Sequence, residues 1–343
     1  MSTATFDPVP ADPGVVLDPD WLGEALDLVG DGDRVVAVDE VGSSKTVADK
    51  LRFTVTIEGP RGSRTHALCA KAHFDDGINS LVSEAEFYRH LQPRLGVRSP
   101  RAHHTGVDTE AGRGLIVMDD ILALGGTIGD ARSPYPVDVC RDALGQLARL
   151  HARTWGDPRW EVDWLAPRVE RMAAAFPIDV LQSLLDDGRG PDLPSVLRDA
   201  SRLQAAMHRT ADLPVTCVLH ADPHSGNCYL DAEGRASWFD WQIVQRGHWS
   251  VDVAYHLGTV LTVEDRRAHE VELLEHYLGE LAAHGVAAPP FAEAWERYTS
   301  GFTWGYFLWV ITRISSREVV LLHVPRLGAA LTDHATFSRL GIT

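Results

Sequence analysis

The feature that most constrains this chain is the stretch Val218–Leu257, where polar residues stand at fixed intervals between short apolar runs. His220, Asp222 and Asn227 follow the spacing H-x-D-x-x-x-x-N, and Asp240-Trp241-Gln242 closes a later apolar run. Between them, Asp231-Ala232-Glu233-Gly234 is a hairpin signal, because Asp and Gly tolerate the backbone angles of tight turns. The local plan is loop, strand, turn, strand, loop. It returns Asp222, Asn227 and Asp240 to the same end of one hairpin.

Two carboxylates and an amide oxygen brought together in this way are a set of hard oxygen donors. Phosphoryl transfer uses such a set. One carboxylate orients and deprotonates an attacking hydroxyl, while a second carboxylate and an amide oxygen hold Mg²⁺ against phosphate oxygens.

The rest of the chain narrows the setting. A formal net charge of −16 repels nucleic acid and anionic lipid, so neither is an expected partner. No apolar run reaches the roughly 18 residues of a membrane span. The opening MSTATFDPVPADPG lacks the basic and apolar segments of a secretory signal. Cys69, Cys140, Cys217 and Cys228 are scattered without C-x-x-C pairing, which suits a reducing, cytoplasmic compartment.

Read for organisation, the chain is α+β. Residues 1–15 read as a flexible lead-in and 19–29 as a short amphipathic helix. From Arg34 to Phe74 three β-rich runs are divided by a Gly-Ser stretch and by the turn Gly59-Pro60-Arg61-Gly62. Helical periodicity covers 80–92, and Arg113–Asp120 reads as a strand ending in two acids. Beyond Asp120 the pattern turns helical, at 137–155, through 165–211 and from 250 onward, interrupted by a β-rich insert at Thr216–Gln242. The expected domains are therefore 1–120 and 121–343, with a ligand in the cleft between lobes.

In these motifs the chain resembles the aminoglycoside phosphotransferase and choline kinase family. The general kinase pattern is H-R-D-x-x-x-x-N followed by D-F-G, and this family's loop typically reads H-G-D-x-H-x-x-N. Asp240-Trp241-Gln242 and Asp252-Val253-Ala254-Tyr255 look closest to the ecdysteroid-kinase-like group. The resemblance spans roughly residues 35–260. It implies a bilobal protein-kinase-like fold with a β-rich N-lobe and a mostly helical C-lobe, and ATP with Mg²⁺ as cofactors. It also implies Asp222 as catalytic base, Asn227 and Asp240 as metal ligands, and Asp252 with His220 as structural support for the loop. Ala221 departs from the usual Gly, and Gln242 stands where aminoglycoside kinases often carry Glu.

A kinase also needs a lysine facing the phosphates, an acid to hold it, and a loop over the phosphates. Lys71 sits in the third β-run with apolar neighbours at alternate positions, where an unpaired charge is costly. Glu84 and Glu86 are both available on the next helix, and the family's E-x-x-F-Y pattern favours Glu84. Gly42-Ser43-Ser44-Lys45-Thr46 lies where the phosphate loop is expected, although taken alone it reads as a turn. The candidate phosphate contacts there are Gly42, Ser43, Ser44 and Thr46. Met118, Asp119 and Ile121 resemble the inter-lobe hinge that meets an adenine. The helix ending Leu147-Ala148-Arg149-Leu150-His151-Ala152-Arg153-Thr154-Trp155 resembles the family helix supporting the catalytic loop, with His151 a packed, hydrogen-bonded residue.

The acceptor side is less marked. Trp295, Tyr298, Phe302, Tyr306 and Trp309 recur at helical spacing, a stripe that reads first as core and second as a pocket wall. Candidate acceptor contacts are His224, His248, Trp304 and Tyr306. An aromatic wall suits a bulky apolar alcohol, or a quaternary ammonium through cation–π contact. No dense acidic cluster for a polyamine acceptor occurs in the C-terminal helices. Two rival readings remain: a metal-dependent hydrolase using His220-x-Asp222-x-His224, and a non-catalytic nucleotide-binding pseudokinase. The reading best matched to the residues is a kinase acting on a hydroxyl of a small-molecule acceptor.

Overall fold

The computed structural model describes residues 6–74 and 81–342 and divides into two compact units. The first comprises 1–127 with the short pieces 231–234 and 239–243, and the second holds the remainder. The loop bearing Asp240 therefore groups with the N-terminal residues, which a single break near residue 120 does not capture. The expected helix at 80–92 begins, within the described residues, at Leu81.

The first unit is built on an antiparallel sheet. Its strands are β1 (Arg34–Lys45), β2 (Asp49–Gly59), β3 (Gly62–Ala72), β4 (Ala102–Asp108) and β5 (Arg113–Asp119), in the order β1-β2-β3-β5-β4. Alternation along β2 puts Leu51, Phe53, Val55 and Ile57 on one buried face, and Leu68, Ala70, Leu115 and Val117 complete that layer. Helices α1 (Pro13–Val16) and α2 (Pro19–Ala25) cover it through Val16, Trp21 and Leu22. Each starts on an aspartate cap with proline in its first turn, Asp12 for α1 and Asp18 for α2. The expected flexible lead-in is corrected over residues 6–15. Val9 is buried, Phe6 stacks on Trp21, and the Trp21 indole donates to the Asp7 carbonyl at 2.8 Å.

A second correction concerns the supposed loop at Gly42. Gly42, Ser43, Ser44 and Lys45 are the end of β1, paired with Arg52, Leu51, Lys50 and Asp49 of β2. A register shift between Glu40 and Gly42 carries the strand past the glycine, and the turn is confined to residues 46–48.

The second unit is mainly helical. Helix α4 (Val137–Thr154) runs over the segment where the sequence predicts it. The stretch 165–211 is broken into short helices by its prolines and glycines rather than forming long ones. After the short strands β6 (Cys217–Leu219), β7 (Cys228–Leu230), β8 (Ala236–Trp238) and β9 (Gln245–Gly247), helices fill the remainder. These are α5 (Ser250–Val260), α6 (Val263–Ala283), α7 (Phe291–Ser300), α8 (Phe302–Ile311) and α9 (Arg317–Asp333). Every residue of α5 is buried, so this helix is the centre of the unit. Helix α8 crosses it closely because position 305 is glycine: a Cβ there would come within 2.7 Å of the Tyr255 ring. No described helix is long and apolar enough to cross a membrane.

Candidate active site

In the first unit, Lys71 is the pivot. Its ammonium donates to Glu84 Oε2 at 2.7 Å and pairs with Asp240 Oδ1 at 2.9 Å. Glu84 lies in the first turn of helix α3 (Leu81–Glu86), and both it and Lys71 are buried. Of the two acids left open by the sequence, Glu84 is the partner, while Glu86 pairs with His90. Burial works against the Lys71 ammonium, yet the Asp240 and Glu84 carboxylates outweigh it and hold the pKa above the usual lysine value.

Asp240 is held by its neighbour. Trp241 is fully buried and stacks on Phe87 with ring centroids 3.7 Å apart, and its indole donates to Ser99 Oγ at 3.3 Å. Phe87 opens a π-helical turn, Phe87–Leu91, that continues α3. The Asp240 backbone has φ of 64°, a strained conformation for a residue with a side chain.

Lys50 escaped the sequence reading. It stands directly opposite Lys71 in the β2–β3 ladder and so shares its face of the sheet. Burial and the Lys71 charge lower its pKa, and its ammonium donates to Thr46 Oγ1 at 2.9 Å. Together with Ser43, Ser44 and Lys45 it lines a cavity of about 530 Å³. The available signal was the alternation along β2, which puts position 50 on the same side as Arg52.

The hinge residues are more committed than expected. Met118 is buried within β5, and the Asp119 amide donates to the Arg101 carbonyl at 2.9 Å. The Asp119 side chain is drawn to His103 Nε2 at 2.8 Å, and the Ile121 carbonyl accepts from the Gly126 amide at 2.8 Å.

In the second unit, the loop after β6 is shaped by Asp252. Its two carboxylate oxygens accept the amides of His220 at 2.7 Å and Ala221 at 2.8 Å. His151 Nε2 lies 3.1 Å from the same carboxylate and its Nδ1 2.7 Å from the Tyr277 hydroxyl. The loop turns at Ala221, whose φ is 69°. From α8, the Trp304 indole donates to the Ala221 carbonyl at 2.7 Å.

So placed, Asp222 has its Oδ1 bonded by the Tyr255 hydroxyl at 2.6 Å and its Oδ2 by Asn227 Nδ2 at 2.9 Å. Burial opposes its ionisation, but His224 and the Tyr255 hydrogen bond prevail and hold its pKa at about 2. It is a carboxylate throughout the neutral range. With Asn227 Nδ2 turned to Asp222, its Oδ1 takes no hydrogen bond among the described residues. The Asn227 amide oxygen and, in the first unit, the partly exposed Asp240 carboxylate are each of the hard-donor type that Mg²⁺ prefers.

Three acceptor-side expectations are corrected. Trp304 and Tyr306 are fully buried, and Tyr306 gives its hydroxyl to the Leu197 carbonyl at 2.8 Å, so both are core residues. His248 is buried against Ser250 Oγ at 2.8 Å, and burial lowers its pKa to about 4. Of the four candidates only His224 stands next to Asp222, its Nε2 3.6 Å from Oδ2. Trp309, seen in the sequence only as part of the stripe, packs its ring edge-on to His224 at 5.3 Å. The hydrolase reading loses its geometry, because the His224 Nδ1 accepts from the Gly226 amide and the His220 ring packs against Trp238. Among the described residues no cluster of three His, Cys, Asp or Glu side chains is arranged to hold a metal.

The model described as "Phosphotransferase enzyme family" matches residues 52–302. No curated protein matches the chain. Among solved structures, the ethanolamine kinase of Plasmodium vivax aligns at 11% identity over 87% of this chain and 81% of its own, with a TM-score of 0.53. The choline kinase of Cryptosporidium parvum aligns at 10% identity over 96% and 95%, with a TM-score of 0.54. LicA in complex with AMP, named elsewhere as a choline kinase of Streptococcus pneumoniae, aligns at 15% identity over 93% and 97%, with a TM-score of 0.50. These likenesses show a protein-kinase-like fold, with an antiparallel sheet in the N-terminal part and helices in the C-terminal part.

Proposed function

This chain belongs to the phosphotransferase enzyme family, and we propose that it transfers the γ-phosphate of ATP to a hydroxyl group of a small molecule. The observation that carries this reading is the Asp222 carboxylate, kept ionised and fixed by Tyr255 and Asn227 on a loop clamped by Asp252. A base held in this way is aimed before substrate arrives, which is where most of the rate enhancement in such a reaction originates.

In this reading Asp222 accepts the proton of the acceptor hydroxyl as its oxygen attacks phosphorus. Lys71, fixed by Glu84, contacts the α- and β-phosphates, and Ser43, Ser44 and Thr46 supply hydroxyls nearby, with Gly42 behind them. Asn227 and Asp240 are the residues that would hold Mg²⁺, which when bound neutralises phosphate charge. The β5 end, with Met118, Asp119 and Ile121, takes the nucleotide base. His220 and Asp252 shape the loop. The Asp240-Trp241-Gln242 triplet and Tyr255 in Asp252-Val253-Ala254-Tyr255 support membership of the ecdysteroid-kinase-like group. Free cysteines at Cys69, Cys140, Cys217 and Cys228 fit a cytoplasmic enzyme. The AMP held by LicA supports nucleotide use.

Thermal-shift titration with ATP and Mg²⁺, alone and together, tests this on wild type, Asp222→Ala and Asp240→Ala. A magnesium-dependent rise that Asp222→Ala keeps and Asp240→Ala loses is expected. Turnover on a panel of alcohols should fall on the order of 10²–10⁴-fold in Asp222→Ala. Full turnover in that variant, or no shift with any nucleotide, removes the proposal.

A further inference from the structure

On α5, the side chains of Asp252, Tyr255 and His256 fall at i, i+3 and i+4, which is one face of a helix. Together they meet four consecutive residues of the loop after β6. Asp252 accepts the amides of His220 and Ala221, Tyr255 donates to the Asp222 carboxylate, and His256 Nδ1 lies 2.8 Å from the Pro223 carbonyl oxygen. The last of these contacts acts on the residue that directly follows the proposed base.

Pro223 is buried and has no amide hydrogen, so its carbonyl is the only backbone group by which it can be held. It stands at the centre of a tight turn, in which the His224 amide donates to the Asp222 carbonyl at 2.9 Å. Asn227 Nδ2 donates to that same Asp222 carbonyl at 3.0 Å. The direction of the Pro223 carbonyl therefore sets how the chain leaves Asp222.

His256 is committed to this contact. Its ring is fully buried and packs edge-on against Tyr135 and Trp238, with centroids 5.8 and 5.2 Å away. Trp238 in turn packs against His220 at 5.1 Å, so the rings that hold His256 also reach the start of the loop. A carbonyl oxygen only accepts, so the ring proton belongs on Nδ1. Nε2 takes no hydrogen bond among the described residues, so nothing there favours the other tautomer. Burial pushes the ring pKa down to about 4, which keeps it neutral near pH 7.

We propose that His256 is a positioning residue for the base: as an Nδ1–H donor it fixes the Pro223 carbonyl and, through the turn on Pro223, the direction of the Asp222 carboxylate. The inference deepens the kinase reading above and rests on it. His256 acts through the loop and touches no substrate.

The experiment compares His256→Asn, His256→Gln and His256→Leu. The asparagine amide nitrogen occupies the place of Nδ1, whereas glutamine carries its donor to the place of Nε2 and leucine has none. With ATP, Mg²⁺ and the panel of alcohols, His256→Leu and His256→Gln should lower kcat about 10- to 100-fold with KM for ATP nearly unchanged. His256→Asn should recover most of that loss. Glutamine is closer to histidine in size, so packing alone would rank His256→Gln above His256→Asn, and melting temperatures report that ranking separately. Full kcat in His256→Leu, or equal kcat in His256→Gln and His256→Asn, overturns the proposal. If His256→Leu does not fold, the contrast between the two amides decides.

If wild type turns over no alcohol, the kinase reading is what has failed. The positioning role is then judged by hydrogen exchange at the His224 amide, which should be at least about 10-fold faster in His256→Gln than in His256→Asn. Equal rates overturn it. Ring ¹⁵N shifts of the wild-type protein must also report Nδ1–H at His256, and an Nε2–H ring removes the proposal without any variant.

Discussion

The Tyr255 hydroxyl donates to Asp222 Oδ1 at 2.6 Å, so one oxygen of the proposed base is occupied by a phenol before substrate arrives. Asn227 takes the other at 2.9 Å, leaving only the remaining lone pairs for an incoming hydroxyl. Removing the phenol in Tyr255→Phe frees the carboxylate to turn. We expect kcat to fall about 10-fold, with KM for ATP nearly unchanged. The sign on the pH axis follows from the depressed Asp222 pKa of about 2. Loss of a hydrogen bond to the charged form raises that value, so the acid limb of the kcat profile moves to higher pH. An acid limb that stays in place or moves lower would contradict the assignment.

Lys50 faces the same side of the sheet as Lys71 and lines the cavity beside Ser43 and Ser44. In the proposed reading a cation there contacts phosphate. Lys50→Met should raise KM for ATP by about 10-fold, the size of one lost charge-assisted hydrogen bond, while melting temperature in the absence of ligand is steady or rises. Steady-state kinetics at fixed Mg²⁺ decide it, and an unchanged KM for ATP rejects the role.

Ala221 occupies a left-handed backbone position, with φ of 69°. The Cβ clash there costs about 1–2 kcal/mol, partly offset in a glycine variant by its greater freedom when unfolded. Ala221→Gly should therefore stabilise the protein by up to about 1 kcal/mol, read from denaturant midpoints. A loss of stability would mean that the alanine methyl packs better than the backbone suffers.

His103 bridges Asp27 at 2.8 Å and Asp119 at 2.8 Å. Burial lowers its pKa, but the two carboxylates outweigh burial and raise it above the ordinary 6.5. A raised folded pKa gives stability that is complete below the unfolded value and disappears as pH climbs through the folded one. The stability advantage of wild type over His103→Gln should thus be largest below about pH 6.5 and shrink at higher pH. Urea midpoints across that range measure it, and a difference that grows with pH is the opposite outcome.

Legibility in the sequence followed the range of the interactions. The hairpin and its two flanking loops were readable because turn chemistry and strand alternation are local. The Lys71–Glu84 pair was readable as a need, since a buried ammonium must find an acid, though only the fold chose Glu84 over Glu86. Tyr255 on Asp222 and Trp304 on Ala221 were not readable. The first joins α5 to a loop 33 residues earlier and the second joins α8 to a residue 83 earlier. The end of β1 was misjudged for the reverse reason: Gly42 and its serines favour a turn locally, and pairing with β2 overrides them.

Asp252 gives the loop its shape by accepting the amides of His220 and Ala221. Seen from the ribosome, this makes catalytic competence a late arrival. When residue 227 has emerged, the whole loop is outside the tunnel, yet the carboxylate that folds it is still inside. Until α5 docks, the loop is chain with an aspartate in it and no aim. In the proposed kinase reading, a nascent chain has no aimed base until α5 is in place.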